Sequence, residues 1–95
     1  MANESYQYSF LKSVDMAEAE STLLVALIAT EALHGTSAVR MQERHRFDPQ
    51  SRSCQIDASS EVGQDLNRIF VGFLRREFGD GSFTVTRATN GAAVA

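Results

Sequence analysis

The sequence predicts an α+β fold: a two-layer sandwich of ferredoxin-like type, with element order βαββαβ, a four-stranded antiparallel sheet and two helices on one face. Three observations carry that expectation. Ser59–Gly79 repeats its apolar residues at helical spacing between two end signals. A second helix is written in the Ala- and Leu-rich run that follows Asp15. Short alternating segments lie before, between and after the two helices.

In chain order, Ser5–Leu11 alternates: Tyr6, Tyr8 and Phe10 point one way and Gln7 and Ser9 the other. Asp15 then caps a helix, with Glu18 three residues on. Its body carries Leu23, Leu24, Leu27, Ile28 and Leu33 as a broad apolar face, and Gly35 ends it. Thr36–Phe47 reads as a second strand, with Val39, Met41 and Phe47 on one parity and Arg40, Gln42, Arg44 and Arg46 on the other. Asp48-Pro49-Gln50-Ser51 is a turn. Arg52–Ala58 returns as the third strand, pairing Phe47 with Arg52, His45 with Cys54, Glu43 with Ile56 and Met41 with Ala58. The Ser59–Gly79 helix follows, its stripe formed by Val62, Leu66, Ile69, Phe70, Phe73 and Phe78. Gly63 and Gly72 are read as points where this helix approaches a neighbour closely. Ser82–Arg87 is the last strand, with Phe83 and Val85 inward. The expected division is one domain over 1–88 and a flexible tail over 89–95. Right-handed crossovers put the first and third strands at the centre of the sheet.

The totals narrow the function classes. Ninety-five residues with 43% hydrophobic content make a small globular unit, for which association with another chain is a gain in stability. A net charge of −3 gives no global attraction to nucleic acid or membrane. One cysteine, Cys54, rules out a disulfide within the chain and suits a reducing, cytoplasmic setting. The opening MANESYQYSF has neither the basic nor the apolar stretch of a signal peptide, and no apolar run reaches bilayer length. No membrane contact is expected.

Arg40, Arg44 and Arg46 form the candidate binding set. On one strand they would make a guanidinium row on the open sheet face, able to grip phosphates. The plainer reading is a charged edge strand that resists edge-to-edge pairing. RNA-recognition modules of this architecture stack bases on aromatic residues of their central strands, and Arg52–Ala58 has none. His45 beside Cys54, with Glu43, falls short of a metal-ligand set, and no CxxC or HxxxH spacing occurs. Asp57, Glu61 and Asp65 gather at a helix start, where the dipole favours their ionised forms, and read as a solvated capping cluster. No catalytic residue, metal site or cofactor is assigned.

The expectation is therefore a non-enzymatic interaction or regulatory module, self-associating or a subunit of a larger protein assembly. The alternative is a nucleic-acid-binding domain using the Arg40/Arg44/Arg46 row. A small enzyme built on Asp57, Glu61 or His45 ranks last.

Overall fold

A computed structural model describes residues 4–89. The fold is α+β, with four strands in one antiparallel sheet and three helices. The elements run β1 (Glu4–Phe10), α1 (Met16–His34), α2 (Thr36–Gln42), β2 (His45–Asp48), β3 (Ser53–Asp57), α3 (Glu61–Phe78), a 3-10 turn at Asp80–Ser82, and β4 (Phe83–Thr89). The sheet order is β2-β3-β1-β4, so the first and third strands are central, as expected. Ala88 and Thr89 pair with Ser5 and Glu4, so the expected tail begins no earlier than residue 90, and 90–95 lie outside the described residues.

The helix ends follow their sequence signals. Asp15 Oδ1 accepts from the Ala17 and Glu18 amides at 2.9 and 3.4 Å, and Ser60 Oγ accepts from the Gly63 amide at 3.0 Å. One core cluster joins Tyr8, Phe10, Cys54, Ile56 and Phe83 of the sheet to Leu23 of α1 and Leu66, Phe70 and Leu74 of α3. Both long helices thus cover the same sheet face. At the centre, the buried Tyr8 hydroxyl donates to Asn67 Oδ1, and the Tyr8 ring lies 5.0 Å from that of Phe70. Burial pushes the Tyr8 phenol far above its ordinary value, so it stays a neutral donor.

The middle of the chain departs from expectation. Thr36–Gln42 is helical, and the second strand shrinks to His45–Asp48. Alternation of Val39 and Met41 misled the reading: Val39 is buried, but Met41 is 75% exposed. Ala38, Arg40, Met41 and Gln42 are good helix formers. Gly35 makes the break possible. Its φ of 89° is open to glycine at little cost, and α2 leaves α1 at 118°.

The hairpin register also shifts by two residues. His45 pairs with Ile56 and Phe47 with Cys54, which preserves each side chain's face. Arg52 is the reason. It takes a left-handed backbone with φ 54°, and its guanidinium donates to the Leu11 and Val14 carbonyls in the β1–α1 connection. It closes the loop rather than extending the strand. Asp48 Oδ1 accepts from the Gln50 amide at 3.1 Å, as its place before proline suggests.

Candidate functional site

The arginine row does not form. Arg40 lies in the last turn of α2, Arg44 in the connection to β2, and only Arg46 on a strand. A three-residue row needs one extended segment, and α2 occupies half of it. Arg44 and Arg46 remain neighbours around a shallow cavity of about 280 Å³, lined also by His45, Gln55 and Asp57. Arg44 Nη1 donates to the Glu43 carbonyl at 2.8 Å, and the Asp57 carboxylate places a negative charge in the same cavity. The rest of the open sheet face is polar and small. Gln55, Gln7 and Thr86 form one cross-strand row and Ser53, Ser9 and Thr84 the next. Tyr6 and Tyr8 belong to the core side, so no aromatic platform for bases stands on the open face among the described residues.

His45 and Cys54 are separated by the register shift. His45 Nδ1 lies 2.7 Å from Glu43 Oε2, and this hydrogen bond raises its pKa above 6.5. Cys54 is buried and its thiol is pushed up to about 12, chiefly by desolvation and then by the Glu43 charge. It is an inert packing residue. No group of three or more metal-ligating side chains occurs among the described residues. A raised histidine pKa stabilises the fold fully below the unfolded value of 6.5, and that contribution is lost as pH rises through the folded value. Glu43→Gln should therefore cost below about 1 kcal/mol at pH 6 and still less at pH 9, measured by urea unfolding.

Asp57 and Asp65 of the acidic cluster make separate contacts. Asp57 Oδ1 accepts from the Ser59 amide and hydroxyl at 2.9 and 2.6 Å. Asp65 Oδ2 lies 2.8 Å from His34 Nε2, and Asp65 Oδ1 3.5 Å from Arg68. The His34 pair ties the end of α1 to the start of α3. Local pattern does not reveal this pair, because the partners are 31 residues apart.

The feature that sequence reading missed lies on the helix layer. Of the five residues assigned to the apolar face of α1, only Leu23 is buried and Leu27 is half-buried. Inward packing uses the small Ala19, Ala26 and Thr30 instead. Ala17, Ser21, Leu24, Val25, Ile28 and Ala32 fall on the opposite side and are all exposed. Leu24 is 54%, Val25 52% and Ile28 66% exposed. At 100° per residue these six positions span one uncharged stripe. The signal was available: α1 is apolar on every side, which a helix lying on a single sheet does not require.

Beside this stripe, α1 and α3 diverge into a groove of about 530 Å³. Val25 and Phe73 contribute its apolar wall, and Glu18, Arg76 and Glu77 its charged one. No single helix among the described residues is long and apolar enough to cross a membrane. No protein-family model, curated protein or solved structure matches the chain.

Proposed function

We propose that this chain is a non-enzymatic association module, a small domain that self-associates or serves as a subunit of a larger protein assembly. We read its architecture as ferredoxin-like, with α2 as an insertion before β2. The sheet order with β1 and β3 central supports that reading, as does the placement of α1 and α3 on one face. The functional reading is carried by the exposed uncharged stripe of α1. Leu24, Val25 and Ile28 stand together in solvent on one side of α1, whereas the other exposed large apolar side chains, Leu11, Leu33 and Met41, lie off this stripe. A contiguous apolar patch of this kind marks a surface that another macromolecule covers. The contact surface thus moves from the open sheet face, where the residues are polar, to the helix layer. A cytoplasmic setting accords with the free Cys54.

Native mass spectrometry of the protein recovered gently from its own cells tests the reading. The expected result is a complex heavier than the 10.4 kDa chain, lost when Ile28 becomes Glu. A bare monomer in both preparations would overturn it. The nucleic-acid reading now keeps only Arg44 and Arg46, beside a carboxylate, and would be favoured instead by an oligonucleotide in the recovered mass.

A further inference from the structure

Resting on that reading, we infer that the occupant of the stripe is a second copy of this chain, docked helix layer to helix layer, with α1 of each copy seated in the α1/α3 groove of the other. Area is the first reason. From Ala17 to Ala32 the stripe is about 24 Å long at 1.5 Å rise per residue, and one helix face is about 10 Å wide. That footprint is small against the roughly 800 Å² per partner of a stable interface. The occupant must therefore also cover the groove and α3. A second copy does so, because its own helix layer presents two helices at the same spacing.

Charge is the second reason. The stripe is flanked by carboxylates: Glu20 and Glu31 lie on α1 and make no ion pair among the described residues. On α3, Arg76 lines the groove, and Arg68 and Arg75 are exposed as well. Arg76 is likewise without an ion pair, and Arg68 and Arg75 have only long contacts, 3.5 Å to Asp65 and 3.3 Å to Asp80. An acid-flanked apolar helix thus stands next to one that exposes three arginines, with Glu77 in the groove and Glu61 and Asp65 near its start. A two-fold operator turns that pairing into two identical contacts: α1 acids on the arginines of α3 in one direction, and the reverse in the other. Leu24 and Ile28 of one copy then fill the wall formed by Val25 and Phe73 of the other. A stack of α1 directly on α1 would instead confront acids with acids.

Sedimentation velocity on the purified full chain, from about 1 to 100 µM, tests the inference, because a micromolar dissociation constant gives a dimer in that range. Two charge-reversed chains complete it: Glu20→Lys/Glu31→Lys, and Arg68→Glu/Arg76→Glu, each checked for native circular dichroism. The wild type is expected to be a dimer. Ile28→Glu should raise the dissociation constant at least tenfold, and each charge-reversed chain alone should be monomeric. An equimolar mixture of the two should recover a 1:1 heterodimer, since both contacts become complementary again. A monomeric wild type at 100 µM would overturn the second copy as occupant. The association reading would still stand or fall by the native mass. A dimer unaffected by Ile28→Glu, or a mixture that stays monomeric, would equally overturn the inference.

Discussion

Replacing Gly63 with alanine is expected to cost about 3 kcal/mol or more, a large part of the 5–15 kcal/mol that holds a small domain together. A Cβ at Gly63 would sit 1.9 Å from the Asp57 carbonyl oxygen and 3.2 Å from the Ala58 Cα. Both are backbone atoms, so no side-chain rotation relieves the clash. Relief requires the first turn of α3 to move off the end of β3, which disturbs the Ser60 cap and the buried Val62 and Leu66. Gly72 is the internal control. The sequence suggested a close approach there too, but nothing lies within 4 Å of its Cβ direction. Gly72→Ala should stabilise the domain by about 0.5–1 kcal/mol through helix propensity alone. Chemical denaturation of the two variants should move the midpoint in opposite directions. Equal midpoints would mean that α3 does not lie on β3 as described.

The contrast between these glycines shows what the sequence could and could not reveal. Periodicity and caps located α1 and α3, because local hydrogen bonds such as those of Asp15 and Ser60 depend on neighbours in the chain. Inward residues of β1 and β4 were legible for the same reason, since Tyr8, Phe10 and Phe83 alternate with polar residues. What stayed hidden depends on distant partners. Asn67 is buried because of Tyr8, and His34 is held by Asp65. The Thr36–Phe47 error has another cause. Seven residues of helix and twelve of strand can share one alternation when a single apolar side chain, Val39, decides the packing. That error produced the arginine row on the open sheet face. The exposed side of α1 was concealed by its own composition, because a helix apolar all round does not say which half the fold will use.

Phe70→Ala should be the most damaging truncation in the core, at about 3–5 kcal/mol. Phe70 is fully buried midway along α3, and its ring meets Tyr8 at 5.0 Å with the planes tilted by 54°. Tyr8 is also near the rings of Phe10 and Phe83, both at 6.3 Å. Phe70 is thus where α3 enters an aromatic cluster built by β1 and β4. Removing its ring leaves a cavity between two layers whose backbones are fixed by the sheet ladder, so collapse is limited. The loss also loosens the packing that holds the Tyr8 hydroxyl against Asn67, a buried pair whose failure strands two polar groups. Phe78, in the same sequence stripe, is only half-buried at the end of α3 and should lose less than half as much on truncation. Urea unfolding of Phe70→Ala, Phe78→Ala and the wild type orders the three. If Phe78→Ala proved as costly as Phe70→Ala, the end of α3 would be covered in solution by more than this single chain. Dilution would tell, since only a covered end makes the cost of Phe78→Ala fall with protein concentration.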